Sequence, residues 1–270
     1  DHDTARFDQT DLQLKLKLKK QTLIIPSSKT FTLKKDQSVI LPFNLSMEGA
    51  LLKYSTTQLL AKVEEKNAVH YFFFAPEGLR TEYSFDKSTL SSGKEFYTPK
   101  PGLKSTFSIT VKNGKTLKIT TLTRQQALNT TKVNNHILIT EATVLPEKEQ
   151  CTLLSLGKTQ ISYALYTANK GWKGETIEVQ PVEVKADWKK VGTRRMTVKI
   201  DQPDVPQIND YFLRVNYVAD VAMAFIGGYL VLDLYYYGIP WTIGLRRFTN
   251  ALKNEYLRFY FRHLRQDTHS

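Results

Sequence analysis

Four aromatic rings and a carboxylate fall within nine residues near the end of the chain: Asp233, Tyr235, Tyr236, Tyr237 and Trp241. Aromatic rings stack on the apolar faces of sugars, while carboxylates accept hydrogen bonds from sugar hydroxyls. Glycine and proline among these residues favour a loop. The cluster therefore predicts a carbohydrate-binding site. In the alternative interpretation, Trp241 and one or two of the tyrosines complete a hydrophobic core, because strand alternation sends some side chains inward.

Trp172 is the second candidate for contact with a sugar. It lies between two Lys-Gly pairs, in a polar, glycine-rich segment at 170–174. Such a segment is typical of a surface loop, where a large aromatic side chain has no core to join. We therefore expect Trp172 to be an exposed binding or interface residue, with burial in a core as the alternative.

The carboxylates give only a weak catalytic pattern. A retaining glycosidase needs two carboxyl groups about 5 to 5.5 Å apart, and Glu77, Glu82 and Asp86 are the candidates closest in sequence. Nothing in their spacing requires that distance. We predict no catalytic residue, and a small hydrolase that uses these carboxylates is the least favoured hypothesis.

Metal and redox chemistry are not indicated by the sequence. The single cysteine lies in an apolar, strand-like run, where it behaves as a small buried hydrophobe. The histidines are dispersed and lack the spacing of metal ligands. These residues are Cys151, His2, His70, His136, His263 and His269. We predict no metal, no cofactor and no disulfide.

Two hairpins are predicted from turn dipeptides. A Gly-Gly pair at 227–228 supplies positive φ angles between apolar runs, which indicates a hairpin over 221–234. An Asn-Gly pair at 113–114, best suited to a type I′ turn, indicates a second hairpin over 107–122. Hairpins of this kind are typical of an all-β protein.

Three further patterns complete the expected elements. Thr123 and Gln126 form a capping box that predicts one short helix over 124–129. Leucine alternates with lysine and glutamine over 12–20, which predicts an edge strand with a buried leucine face and lysines in solvent. The residues 257–262 alternate in the same way and predict a half-buried strand.

Length and composition define the class of fold. The chain has 270 residues, enough for two domains, and its 41% hydrophobic content excludes a disordered chain. A proline-led charged stretch at 146–149 separates two strand-rich halves. We predict two β-sandwich domains of jelly-roll or galactose-binding-like type, at 1–145 and 146–270, with at most one or two short helices.

Charge and hydropathy exclude two kinds of partner. The net charge is +12, but the basic residues are scattered and no nucleic-acid-binding motif accompanies them, so we predict no nucleic-acid partner. The most apolar window, 221–232, is shorter than the roughly 20 residues that cross a bilayer, so we predict no membrane span. Residue 1 is Asp and no signal-peptide pattern is present, so we expect a mature or truncated chain.

Three blocks of sequence carry a resemblance to a known family. They read LPFNL and YFFFAPEG within 41–78, TLTRQQALN at 121–129, and a run within 220–248 that ends in GIPWTIGLRRF. In this order they resemble the C-terminal β-domain region of bacterial β-galactosidases of glycoside hydrolase family 35. In that family the catalytic glutamates lie on a separate (β/α)₈ barrel, which needs about 250 residues of its own.

The resemblance implies a chain that is not an enzyme on its own. Its implied partners are a β-galactosidase-type catalytic barrel, in the same or a separate chain, and galactose-containing carbohydrate. The implied location is the bacterial periplasm or the extracellular space. Glu255 lies in an Asn-Glu-Tyr tripeptide like the catalytic one of the barrel, but Leu257 follows where the family has glycine. The alternative function is a free-standing carbohydrate-binding module.

Overall fold

The computed structural model of the protein describes residues 7–19, 21–148, 150–202 and 208–262. These residues form β-strands joined by turns, with two α-helices of five and four residues. They fall into two compact units, one of residues 1–155 and 160–178 and one of 156–159 and 179–270. The prediction of an all-β chain with at most one or two short helices is confirmed.

The first unit contains most of the strands. In its described part these are β1 (Gln9–Leu12), β2 (Leu14–Lys17), β3 (Thr22–Ile25), β4 (Phe31–Leu33), β5 (Phe43–Met47), β6 (Ala50–Ser55), β7 (Gln58–Glu64), β8 (Ala68–Phe74), β9 (Tyr83–Phe85), β10 (Leu90–Ser92), β11 (Phe96–Tyr97), β12 (Thr106–Val111), β13 (Thr116–Leu122), β14 (Thr130–Val133), β15 (His136–Thr140), β16 (Thr143–Pro146), β17 (Cys151–Leu154), β18 (Gln160–Thr167) and β19 (Gly171–Glu178). Helix α1 spans Arg124–Leu128, and a 3₁₀ helix spans Lys87–Thr89.

Three sheets of the first unit lie in layers. The central sheet has the strand order β10-β12-β13-β8-β7. One of its faces packs on the sheet β11-β9-β6-β5 through residues such as Tyr71 and Phe73 of β8 and Phe85 of β9. Its other face packs on the sheet β14-β15-β18-β19 through Phe72 and Ile137. Because β8 is covered on both faces, its sequence is apolar almost throughout rather than alternating.

The central sheet contains a parallel pair that no local pattern predicts. Strands β8 and β13 run parallel, from Thr116 opposite Ala68 to Leu122 opposite Phe74. Parallel pairs need long crossover connections, so their register depends on burial rather than on a turn sequence. Here the connection includes β9 and β11 of the facing sheet and β10 and β12 of the central sheet itself.

The predicted hairpin of β12 and β13 is confirmed, but its turn differs from the prediction. Gly114 has a φ of 85° and its amide donates to the Val111 carbonyl, while Asn113 is not among the residues with positive φ. The loop is therefore a three-residue connection with glycine in the left-handed position, not a type I′ turn. Longer loops of this type place the positive φ at one residue instead of two.

Helix α1 is confirmed together with its capping box. The Thr123 hydroxyl accepts from the Gln126 amide at 3.1 Å, and the Gln126 side chain accepts from the Thr123 amide at 3.0 Å. The two bonds satisfy amide groups that a helix leaves free at its first turn.

The expected burial of the leucine face at 12–20 is wrong. Strand β2 pairs with β3 in a two-stranded ribbon, and the next ribbon joins β1 to β4. Leu14 and Leu18 remain 42% and 39% exposed. Cys151, expected to be buried, is only half-buried on β17, although the strand itself forms as predicted.

Residues before and after position 145 share one sheet of the first unit, since β14 and β15 are hydrogen-bonded in one sheet with β18 and β19. That compact unit extends to residue 178. The division into domains at 145 and 146 stays a prediction.

The second unit is a smaller β-sandwich. Its described strands are β20 (Ala186–Gly192), β21 (Arg195–Ile200), β22 (Phe212–Val215), β23 (Val221–Ile226), β24 (Tyr229–Tyr235), β25 (Trp241–Gly244) and β26 (Leu257–Arg262). A 3₁₀ helix, Arg246–Phe248, leads into α2, Thr249–Leu252. The five-stranded sheet β20-β21-β26-β23-β24 and the pair β22-β25 enclose one core, which includes Val215, Ile243 and Phe259.

The Gly-Gly hairpin and the last strand form as predicted. Gly227 and Gly228 have φ angles of 57° and 89° between β23 and β24. Leu257 and Phe259 of β26 are 0% and 1% exposed, which confirms the half-buried strand. In the described part of the chain, no helix is long and apolar enough to cross a membrane.

Candidate functional site

The predicted aromatic cluster lies at one end of β24 in the second unit. Tyr235 closes the strand and is 63% exposed, and Tyr237, in the following loop, is 73% exposed. Asp233 lies two residues before Tyr235 and shares its exposed face of the strand. Half-buried Tyr236 is held by its amide, which donates to the Asp220 carbonyl at 3.0 Å. The two tyrosines at 235 and 237 are therefore available to a ligand.

Trp241 lies in the core of the second unit. It begins β25 opposite Val215 and is 7% exposed. Its ring meets Phe259 edge-to-face, with centroids 5.9 Å apart, and Tyr217 at 6.4 Å. These contacts match the alternative in which Trp241 completes the core. The sugar-binding role assigned to Trp241 and the tyrosines stays a prediction.

Trp172 lies on a strand of the first unit, not in the predicted loop. It belongs to β19, opposite Tyr166 of β18. Its half-buried ring packs edge-to-face on Phe72 at 5.9 Å and on Tyr166 at 5.3 Å. The indole Nε1 is buried without a hydrogen-bond partner in the described residues. The flanking glycines Gly171 and Gly174 belong to β19, an outer strand of its sheet, so the composition of the segment was not evidence for a loop.

The three carboxylates considered for catalysis have different surroundings. Glu82 is 4% exposed, and its Oε1 accepts from the Tyr54 hydroxyl and the Ser27 amide, both at 2.7 Å. Asp86 caps the 3₁₀ helix of the first unit. Glu77 is exposed. Glu82 and Asp86 thus hold backbone and side-chain groups in place.

A cleft of about 460 Å³ opens on the second unit. This volume suits a small ligand such as a mono- or disaccharide. Strands β20, β21 and β26, the end of β22 and the segment after it supply its walls. Its lining includes Trp188, Arg194, Arg214, Asn216, Tyr217 and Phe261.

The cleft adjoins the predicted aromatic cluster through one side chain. Tyr217 lines the cleft, and its ring also meets Tyr236 with centroids 5.4 Å apart. The Tyr217 hydroxyl donates to the Leu234 carbonyl at 3.2 Å, which fixes the ring. Burial raises the pKa of Tyr217, and the nearby hydroxyls of Tyr236 and Tyr237 raise it further, so the phenol stays neutral. The cleft and the exposed tyrosines are thus neighbours.

Trp188 is the most exposed aromatic residue of the cleft lining, and it was not among the residues predicted from the sequence. It lies on edge strand β20 and is 41% exposed. Its ring stacks on Phe259, with centroids 5.9 Å apart and an angle of 24° between the planes. The one available signal was a tryptophan surrounded by charged residues at 185–190. The other cleft residues come from distant parts of the chain, so no spacing pattern connects them.

A second polar cluster is buried in the first unit. His70 is 2% exposed and stacks on Phe72, with centroids 4.3 Å apart. Its Nδ1 lies 2.6 Å from the Tyr166 hydroxyl, and its Nε2 lies 2.7 Å from Thr120 Oγ1. Tyr166 donates its one proton to Glu65. The hydroxyl oxygen therefore accepts from Nδ1–H, and Nε2 accepts from the threonine hydroxyl.

Burial and the nearby Lys118 determine the protonation states of His70 and Glu65 in this cluster. Burial lowers the pKa of His70 to about 4; the Glu65 carboxylate opposes this shift, and Lys118 adds to it. Burial favours a raised pKa for Glu65, but hydrogen bonds from Lys118, at 2.7 Å, and Tyr166 outweigh burial and lower it. Burial and the bond to Glu65 raise the pKa of Tyr166. At neutral pH the cluster holds a neutral histidine and a charged Glu65–Lys118 pair.

Within the described residues, no three side chains of His, Cys, Asp or Glu are grouped so that they could hold a metal ion. Of the histidines considered as ligands, His2, His263 and His269 lie outside the described residues.

Fold and site together define an all-β protein of two compact units, the second of which carries a cleft of about 460 Å³ lined by aromatic and basic side chains. A model of the family "Beta-galactosidase, domain 2" matches residues 1–144. The match covers more than half of the chain, so the chain belongs to this family. It includes the sequence blocks at 41–78 and 121–129 and ends before 220–248. No curated protein matches the chain significantly.

Proposed function

We propose that this chain is a non-catalytic β-sandwich region of a β-galactosidase-like enzyme of glycoside hydrolase family 35, which supports the catalytic barrel and contacts galactosides. The observation that carries the proposal is the match of residues 1–144 to β-galactosidase domain 2. A bacterial origin and a periplasmic or extracellular location belong to the same proposal.

The architecture supports a role outside the reaction centre. A (β/α)₈ barrel alternates eight strands with eight helices. The only α-helices among the described residues are α1 and α2, of five and four residues. The catalytic groups of the enzyme are then supplied by another domain, in the same or a separate chain.

A supporting role requires a surface that fits the catalytic domain. Within the family match, Ile40 is 80% exposed and Phe43, at edge strand β5, is 41% exposed. Side chains of this kind drive association when a partner covers them. We assign the contact with the barrel to this edge.

A binding experiment tests the support of the barrel. A family 35 catalytic barrel is co-expressed with the tagged chain, and recovery of the complex is measured. The double variant Ile40→Ser/Phe43→Ser should lose most of the complex. Leu128→Ser, which alters a 64% exposed leucine on α1, is the matched control and should retain it. Failure of the unaltered chain to bind the barrel would refute the supporting role.

Contact with galactosides is assigned to the exposed part of the aromatic cluster. Tyr235 and Tyr237 offer ring faces, and Asp233 offers a carboxylate on the same side of β24 as Tyr235. Galactose and lactose titrated into the chain in a calorimeter should give measurable heats. Tyr237→Ala should weaken the binding severalfold, because stacking on a sugar is lost. Tyr229→Ala, at the far end of the same strand and 80% exposed, should leave it unchanged.

A free-standing carbohydrate-binding module is the second candidate function. The observation that favours it is the set of exposed rings, Tyr235, Tyr237 and Trp188, on one unit. Sugar binding by the chain together with no affinity for a catalytic barrel would favour this candidate.

A further inference from the structure

We propose that the cleft of the second unit binds an anionic saccharide, a sugar that carries a carboxylate or a sulfate group. This inference rests on the proposed carbohydrate-binding role and names the class of sugar. The observation behind it is the positive charge of the cleft lining, which a site for a neutral sugar does not require.

The charged side chains in the lining are both arginines. Arg194 lies in the turn between β20 and β21, and Arg214 lies on β22. Both are exposed, and neither guanidinium group has a hydrogen bond or an ion pair with the described residues. No Asp or Glu belongs to the lining. The cleft therefore carries two positive charges with no internal counter-charge.

Guanidinium groups with free donors suit an anion. The planar fork of arginine donates two parallel hydrogen bonds to a carboxylate or a sulfate, and such bonds are stronger than those to a neutral hydroxyl. Two arginines that line one cleft also repel each other until an anion is bound. A ligand with a negative group thus gains from the positive charge of the cleft.

The remaining lining residues suit the sugar ring. Trp188 is held from one side by Phe259 and keeps 41% of its surface exposed, so it offers a fixed aromatic surface. Tyr217 is fixed by its hydrogen bond to the Leu234 carbonyl. The exposed amide of Asn216 can both donate to and accept from hydroxyl groups. An inorganic anion would use the arginines but none of these.

The test is a calorimetric titration of the chain at constant ionic strength with four probes: galactose, galacturonate, galactose 6-sulfate and inorganic sulfate. We expect galacturonate or galactose 6-sulfate to bind roughly tenfold or more tightly than galactose. Arg214→Gln should reduce this preference severalfold, because it removes one of the two positive charges of the cleft. Arg195→Gln alters the adjacent exposed arginine, which lies outside the lining, and should have no effect.

The outcomes separate this inference from the proposed function. Equal affinity for galactose and its anionic forms would overturn the inference and leave galactoside contact intact. Inorganic sulfate that binds as tightly as the anionic sugars would reduce the cleft to an ion site and overturn the saccharide assignment. Binding of no sugar would refute both. An equal loss in Arg195→Gln and Arg214→Gln would place the anion elsewhere.

Discussion

The buried His70 cluster predicts how the stability of the chain depends on pH. In the unfolded chain a histidine takes up its proton near its ordinary pKa of about 6.5. In the folded chain the pKa of His70 is about 4, because burial and Lys118 disfavour the charged ring despite the Glu65 carboxylate. Between these two pH values the unfolded state binds more protons. The free energy of unfolding therefore decreases, and the folded chain becomes less stable, as the pH is lowered through this window.

The size of the effect follows from the two pKa values. A difference of one pKa unit corresponds to about 1.4 kcal/mol. From a pH of about 7 to one of about 4.5, His70 should cost about 2 kcal/mol of stability. The lowered pKa of Glu65 acts in the same direction, but it begins to matter only at the acidic end of this window, where the unfolded carboxylate takes up protons near its ordinary pKa of 4.5. His70→Gln removes the titrating group and should flatten the pH dependence by that amount.

Urea unfolding of both proteins at the two pH values measures this difference. His70→Gln also loses hydrogen bonds, so it should be less stable than the unaltered chain at neutral pH. Val63→Ala is the control for general destabilisation and should keep the original pH dependence, because buried Val63 lies opposite His70 on the neighbouring strand β7 but carries no titrating group. Identical pH dependence of the unaltered chain and His70→Gln would refute the assignment of a neutral, buried histidine.

Three substitutions test the structural roles of single side chains, each by the free energy of unfolding in urea. Thr123→Ala removes the cap of α1 and should cost about 1 kcal/mol. Gly78→Ala should cost more than the cap, because a Cβ there would lie 2.3 Å from the Thr32 carbonyl oxygen at a φ of 77°. Glu82→Ala should cost about 1 to 3 kcal/mol, because it leaves the buried Tyr54 hydroxyl without its acceptor.

Matched controls accompany these substitutions. Thr123→Ser keeps the capping oxygen and should retain most of the stability. Gly192→Ala introduces a Cβ with no atom within 4 Å and should be tolerated. Glu77→Ala alters an exposed carboxylate and should change stability little. A control as damaging as its partner would contradict the role assigned to that partner.

Local signals predicted the local elements of this fold. The Gly-Gly pair at 227–228 and the capping box at Thr123 act within a few residues, and both structures form as the sequence indicates. The Asn-Gly pair at 113–114 gave the hairpin but not the turn type, because one added residue changes which positions need a positive φ. The parallel pair β8–β13 was not predictable, since its register is set by distant packing.

The candidate site was predicted only in part. Alternation in β24 places Tyr235 outward, as a binding residue requires, while Trp241 faces the core from β25. No single sequence pattern could choose between these two positions for an aromatic side chain. The cleft joins Trp188, Arg194 and Arg214 from three strands or turns, so only the fold brings them together.

We propose that this chain supports a β-galactosidase without catalysing the reaction itself. The most direct test of this proposal is the rate at which the purified chain hydrolyses a chromogenic galactoside. We expect a rate equal to that of buffer alone. Hydrolysis that copurifies with the chain and is lost in Glu82→Gln or Asp86→Asn would contradict the proposal and make those carboxylates catalytic.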